Sequence, residues 1–390
     1  MPQLSPRIRD TQNPPIPAVR AWAARYDGAA GQILDLTQAV PGYPPHPDLL
    51  ARLAEAAGGR AAATYGPIDG EPALREALAA DISGFYGECV PSEAVAITSG
   101  GNLAFTMAMT VLADTGEAVM LPSPWYFNHR MALTALGIPC VPLDCRAEDG
   151  FIPDPDHAET LMAGVRAIVL VTPNNPTGAV YPPAIIARFA DLARRHDAWL
   201  VLDETYRDFL APSQCPPHTL FADPDWGDGF IHLYSFSKAY CVPGHRVAAI
   251  ASGAGFRAGL MKALDTMQIC APRAAQTALA WGVEALRDWR LANRDLMAGR
   301  ATTFRRAAAQ LPGWRLDALG AYFAYLRLPE DAPDAIAMAE RLAVERGLLG
   351  LPGPFFGPGQ ERHLRLAFAN AEDSVIAQVP ARLRGPVSRD

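Results

Sequence analysis

From about residue 93 onward, short apolar runs alternate with stretches of helix length. The runs are Ala94–Thr98, Ala118–Leu121, Pro139–Leu143, Ala167–Val171, Trp199–Asp203, His232–Ser235 and Val247–Ala251. Strands covered on both faces read as near-continuous apolar runs, whereas half-exposed strands alternate with polar residues. Most of these runs are followed by turn residues and then by a segment of helical periodicity, such as 102–113 and 183–196. The pattern predicts a mostly parallel, seven-stranded sheet with helices on both faces, a three-layer α/β sandwich.

The flanking segments read differently. Residues 1–45 are rich in proline and carry one short helical pattern, Ile16 to Tyr26, as expected of an arm that joins a smaller domain. Residues 46–64 and 71–86 are alanine-rich and helical, separated by Gly66-Pro67-Ile68-Asp69-Gly70. From about residue 283 a long charged, amphipathic helix leads to a β-like run at Ala321–Leu328, a helix at 333–346 and a strand at His363–Phe368. That order suggests a smaller α+β domain over 283–390, with the large domain over 46–282.

Composition narrows the choices. A chain of 390 residues, half of them apolar, holds one large core and a second smaller one, because single cores stop growing near ~250–300 residues. The net charge is −7, and the 32 arginines are scattered among acidic residues without a basic tract, which argues against nucleic-acid binding. No uncharged apolar stretch reaches the ~18 residues of a membrane span, and the first twenty residues lack the apolar core of a signal peptide. A cytoplasmic protein is expected. Cys89, Cys140, Cys145, Cys215, Cys241 and Cys270 show no metal-type spacing and read as reduced thiols, so no metal is expected.

In open α/β sheets ligands sit beyond the carboxyl ends of the strands, and the candidate chemistry falls there. The chain has only two lysines. Lys262, in a helical stretch, reads as a surface residue. Lys238 follows a strand in Ser235-Phe236-Ser237-Lys238, ahead of Gly244 and Arg246. A lysine amine can lose its proton and form a Schiff base with an aldehyde, which an arginine cannot. Hydroxyls and an arginine nearby suit a phosphate-bearing carbonyl cofactor, although a loop lysine on the surface is the plainer reading.

Three further segments follow strands. Asp203 ends an apolar run, and a buried carboxylate there needs a partner: a protonated ring nitrogen, or the N–H groups of the next turn if Asp203 is only a cap. Asn174-Asn175-Pro176-Thr177-Gly178 is a rigid turn that can hold the Asn175 amide against a ligand oxygen, or simply a turn. Thr98-Ser99-Gly100-Gly101-Asn102 joins a strand to a helix start, where exposed N–H groups make an anion site or merely a tight bend.

Taken in order, these motifs resemble those of the class I/II aminotransferases of fold type I. The resemblance rests on Tyr65-Gly-Pro-Ile-Asp-Gly70-Glu-Pro-Ala-Leu-Arg75, Asn175-Pro-Thr-Gly178, Asp203-Glu-Thr-Tyr206, Ser235-Phe-Ser-Lys238 with Arg246, and Arg365-Leu-Ala-Phe-Ala369. It spans residues about 35 to 370. It implies pyridoxal 5′-phosphate as cofactor, held by the large domain, and amino transfer between an amino acid and a 2-oxo acid. Lys238 would be the Schiff-base lysine and proton carrier, Asp203 the partner of the pyridinium nitrogen, and Tyr206 and Asn175 donors to the phenolic oxygen. The phosphate would rest on Gly100, Gly101, Asn102, Ser235, Ser237 and Arg246. Tyr126 would stack on the ring, with Trp125 as the nearby alternative. Arg365 would grip the substrate α-carboxylate in a two-pronged bridge. Tyr65 would reach the phosphate of a neighbouring subunit, making a homodimer with shared sites.

The chain departs from the family pattern at three places. Ala39-Val40-Pro41 replaces a run that usually begins with glycine and faces the substrate, which puts a methyl beside it. Cys270 replaces a serine that contacts the phosphate across subunits. Thr266 occupies the position where dicarboxylate-specific relatives carry arginine. The scaffold also supports C–S β-lyases, decarboxylases and a cofactor-binding sensor fused to a DNA-binding domain; the arm here is too short for the last. Trp22, Tyr43, Trp125 and Phe356 either line a pocket for a large apolar donor or pack the core.

Overall fold

A computed structural model describes residues 2–114 and 116–384. Strands are numbered along the chain from a two-residue β1, Leu34–Asp35. All seven expected runs are strands, with ends displaced by at most two residues: β2 Val95–Thr98, β3 Ala118–Ser123, β4 Cys140–Asp144, β5 Val165–Val171, β6 Trp199–Asp203, β7 Phe230–Ser235 and β8 Ala248–Ala251. They form one sheet in the order β2-β8-β7-β6-β5-β3-β4. Only β8 is reversed, pairing antiparallel with β2 and β7.

Helices cover both faces. Ala167, Val169 and Val201 pack toward the helices Gly101–Leu112 and Ala254–Met267. Their neighbours Ile168, Leu170, Leu200 and Leu202 face the opposite core, built with the helices Pro72–Tyr86, Pro183–Arg195 and Arg273–Ala285. Burial on both faces is why β5 and β6 carry unbroken apolar runs. Each fully buried side chain of the size of Leu170 or Phe189 contributes roughly 1.5–3 kcal/mol by leaving water.

A second, antiparallel sheet runs β12-β13-β10-β9, where β9 is Arg315–Gly320, β10 Phe323–Arg327, β12 Leu351–Pro352 and β13 His363–Ala367. The run expected at Ala321–Leu328 is therefore one arm of a hairpin, with Ala321 in its turn at φ 44°. The other arm, β9, escaped notice because it is half-exposed and carries Arg315 and Asp317, which pair with each other. Leu364 and Leu366 of β13 face a core shared with Phe304, Met338 and Leu342. Alternation along the strand turns Arg365 to the other face.

The N-terminal segment is tied to this second sheet region. β1 pairs in parallel with β11, Leu348–Leu349. The helix Pro15–Ala23 buries Val19 and Ala23 against Leu349, Leu351 and Phe356. Among the described residues, no helix is long and apolar enough to cross a membrane.

Candidate active site

The carboxyl ends of β3, β5, β6 and β7 open, with the start of the Gly101–Leu112 helix, onto one cavity of about 410 Å3. It gathers twelve of the expected residues: Ala39, Gly101, Asn102, Tyr126, Asn175, Asp203, Tyr206, Ser235, Ser237, Lys238, Arg246 and Arg365. Gly100 stands just behind the wall at φ +92°, where any methyl would collide with the Arg246 guanidinium. Glycine is thus required there for both conformation and space. The following residue begins the helix, so its first N–H groups are free for an anion.

Lys238 lies in the short helix Phe236–Ala239 directly after β7. Its Nζ donates to the Ala39 carbonyl, which brings the arm segment over the lysine. Burial, helped by the charges of Arg365 and Arg246, pulls its pKa down to about 8. The amine is therefore easily deprotonated near neutral pH.

Asp203 is buried at the end of β6. Its Oδ2 lies 3.3 Å from His129 Nε2, and its Oδ1 accepts from the Thr205 backbone N–H at 3.0 Å and from Thr205 Oγ1 at 2.7 Å. Burial works against the charged form, but the His129 and Thr205 interactions prevail and hold the carboxyl below its ordinary range. One oxygen does cap the next turn, one of the two roles open to Asp203. The other faces His129, whose ring stacks on Phe105 at 3.9 Å between centroids and whose Nδ1 is buried without a partner.

Arg365 is almost fully buried, yet among the described residues no carboxylate pairs with it. Nη1 donates to Asn175 Oδ1 at 3.1 Å and Nη2 donates to the Thr37 carbonyl. The Phe323 and Phe356 rings cover its two sides, each 5.1 Å from the guanidinium carbon, and Nε has no partner. Burial lowers its pKa to about 10, unusual for a guanidinium. A buried cation with an unmet N–H is a site for an anion. Because Asn175 spends its carbonyl on Arg365, its Nδ2 protons remain for a ligand.

Tyr126 donates to Asn102 Oδ1 at 3.3 Å and accepts from Asn128 Nδ2 at 3.0 Å. Tyr206 is buried, and burial raises its hydroxyl pKa well above the ordinary range, so it stays a donor. Trp125 belongs to the core under the sheet, and neither it nor Trp22, Tyr43 or Phe356 lines the cavity. Tyr65 is 79% exposed and lies outside the cavity of its own chain. Cys270 Sγ accepts from the Gly66 N–H at 3.4 Å, while Thr266 turns its hydroxyl back to the Lys262 carbonyl on an exposed helix face.

Sequence reasoning missed His129, Thr205, Asn128, Thr37 and the arm residues Pro14, Pro15, Ile16 and Pro17, all of which meet the cavity or its key groups. Thr205 stood inside a quoted motif, two residues past a buried aspartate, and was the one with a readable signal. Glu204, the neighbour of Asp203, turns away from the cavity and is fully buried. It accepts from Tyr86 Oη and lies 2.8 Å from His232 Nε2 and 3.4 Å from His218 Nε2.

Known proteins resemble this chain over most of its length. A family model described as aminotransferase class I and II matches residues 31–383. An aspartate/prephenate aminotransferase of Thermus thermophilus is 29% identical over 95% of this chain and 96% of its own length. An aromatic aminotransferase of Arabidopsis thaliana is 26% identical over 98% of this chain and 95% of its own. Among solved structures, an aspartate aminotransferase double mutant from Thermus thermophilus superposes with a TM-score of 0.89 at 25% identity, covering 98% of this chain and 99% of that one.

Proposed function

The chain belongs to the class I and II aminotransferases, pyridoxal-phosphate enzymes of fold type I, and from that premise we propose how its own side chains divide the work of amino transfer. The residues present fit the cofactor. The Gly101 helix start, Asn102, Ser235, Ser237 and Arg246 would hold its phosphate, with Gly100 giving Arg246 its room. Asp203, kept ionised by His129 and Thr205, would hold the ring nitrogen protonated. Tyr206 and Asn175 would donate to the phenolic oxygen, Tyr126 would cover the ring, and Lys238 would take the aldehyde. When bound, the cofactor supplies a conjugated ring that accepts the electron pair of a breaking Cα bond.

The protein decides which bond breaks and where protons go. Arg365 takes the donor's α-carboxylate, supplying the charge that its Phe-lined pocket lacks. Asn175, already joined to Arg365, keeps that carboxylate in register with the ring. With a pKa near 8, the Lys238 Nζ is matched to accept and return a proton at neutral pH. The carbonyl of Ala39 steadies the Nζ, and the arm residues Pro14–Pro17 form part of the wall around it.

One observation carries this assignment: the deprotonatable Lys238, the hydrogen-bonded Asp203 and the unpaired Arg365 share one cavity. The same reading keeps 46–282 as the cofactor domain, with 1–45 and 283–390 contributing the smaller one. The exposed Tyr65, Met267 and Ile269 suit a surface covered by a second copy, hence a homodimer with shared sites. Six free cysteines suit a reducing, cytoplasmic setting.

The test is a half-reaction. Protein reconstituted with pyridoxal phosphate should show a visible band from the lysine-bound cofactor, absent in Lys238→Ala. Adding an amino acid without acceptor should convert that band stoichiometrically to the cofactor's amino form. A reconstituted protein that shows no such band, or that releases ammonia instead of keeping the nitrogen, would defeat the assignment.

A further inference from the structure

Resting on the aminotransferase reading, we propose that the amino donor carries an uncharged, mainly apolar side chain, selected by the arm wall at Pro15, Ile16 and Pro17 together with Val40 and Phe127. Family membership alone leaves the donor's side chain open. The cavity does not.

The charges that this chain's described residues bring to the cavity are all spoken for. Its charged lining groups are Asp203, Lys238, Arg246 and Arg365, with His129 against Asp203. The first three face the cofactor's ring nitrogen, aldehyde and phosphate in the reading above, and Arg365 faces the α-carboxylate. Among the described residues of this chain, no further cation lines the space for a side-chain carboxylate and no further carboxylate lines it for a cationic side chain; Thr266, where dicarboxylate-specific relatives carry arginine, is neutral too. Arg20, one turn beyond Ile16, stands outside the lining; its guanidinium lies 3.5 Å from Asp35 and 3.4 Å from Gln38 Oε1.

What remains of the wall is apolar or neutral. Pro14, Pro15, Ile16, Pro17, Val40 and Phe127 contribute rings and aliphatic carbons, and Gln38, Asn102 and Asn128 contribute amides. An ionised side chain entering there gives up its hydration without a counter-charge, whereas an apolar one gains by leaving water. The wall is also fixed in place. Three prolines within four residues hold their backbone angles, and the helix they open is anchored by the fully buried Val19.

Binding separates this proposal from the question of turnover. Reconstituted wild-type protein is titrated calorimetrically with two unreactive carboxylates, 3-phenylpropanoate and succinate. 3-Phenylpropanoate is expected to bind at least about tenfold more tightly, since it buries a ring where succinate buries a charge. Equal or tighter binding of succinate overturns the proposal, whether or not the enzyme transaminates. In the half-reaction, phenylalanine, leucine and methionine should exceed aspartate, glutamate and arginine in kcat/KM by about 100-fold. Ile16→Arg should raise aspartate turnover and lower phenylalanine turnover, each by about tenfold, with the lysine-bound absorbance unchanged. An Ile16→Arg variant that keeps the wild-type preference would remove the arm from the selection. If phenylpropanoate binds as expected but no amino acid reacts, the aminotransferase reading fails while the neutral pocket stands.

Discussion

Lys238 carries the clearest consequence at the level of single residues. With its pKa lowered to about 8, only the neutral fraction of the amine can attack an aldehyde, so capture of the cofactor by the apoprotein should rise about tenfold per pH unit up to pH 8 and level off above it. Arg365 is one source of that lowering, so Arg365→Met should move the midpoint upward. Stopped-flow absorbance across pH reads both; a wild-type midpoint near the ordinary lysine value would contradict the environment described. In holoenzyme, Arg365→Lys should raise KM for donors by about 100-fold while leaving the lysine-bound band intact, because an ammonium cannot make the two-pronged bridge. Lys238 was legible in the sequence because arginine had taken nearly every other cationic position. His129 was not. It sits in a helix whose pattern gives no hint that folding sets it against the end of a distant strand, and its importance exists only as a contact with Asp203.

Strand ends are the next scale. At the end of β6, Asp203 and Glu204 point to opposite sides, one into the cavity and the other into a buried cluster with Tyr86, His218 and His232. Burial depresses the His232 pKa, and the histidines outweigh burial to depress that of Glu204. For both groups the unfolded chain binds more protons than the folded one as pH falls. Stability should therefore be level above the unfolded His value of 6.5, decline below it, and decline further below the unfolded Glu value of 4.5. Thermal melts across pH check this. Glu204→Gln should cost about 1–3 kcal/mol at pH 7 by taking the charged acceptor from Tyr86 and His232, and flatten the limb below pH 4.5 because the titrating carboxyl is gone. At the β2 end, Gly100→Ala should weaken cofactor affinity by more than about tenfold, combining a strained φ with a displaced Arg246; equilibrium dialysis against pyridoxal phosphate measures it. The seven main strands were readable because two-sided burial leaves only apolar residues. The β9 arm was not, because a half-exposed edge admits Arg315, and Arg315, Arg327 and His363 together admit the buried side chain of Asp317, so the run resembles a loop.

For the molecule as a whole, the sheet and the cofactor residues were legible, while the closing of the cavity was not. Proline-rich sequence gave no reason to bring Pro14–Pro17 to the site, because that placement depends on Val19 and Ala23 docking on residues near the other end of the chain. Removing residues 2–23 should leave the lysine-bound band in place yet lower donor kcat/KM by about 100-fold, as this part of the cavity wall is lost; loss of the band would show that the arm also holds the cofactor. The β1–β11 pairing carries the same dependence into biosynthesis. Leu34 leaves the ribosome 314 residues (348 − 34) ahead of its partner Leu348, so this strand must stay unpaired while all of that stretch is made. Nascent chains stalled before Leu348 should be cut readily by protease around Leu34, and chains released after Phe356 has emerged should resist it.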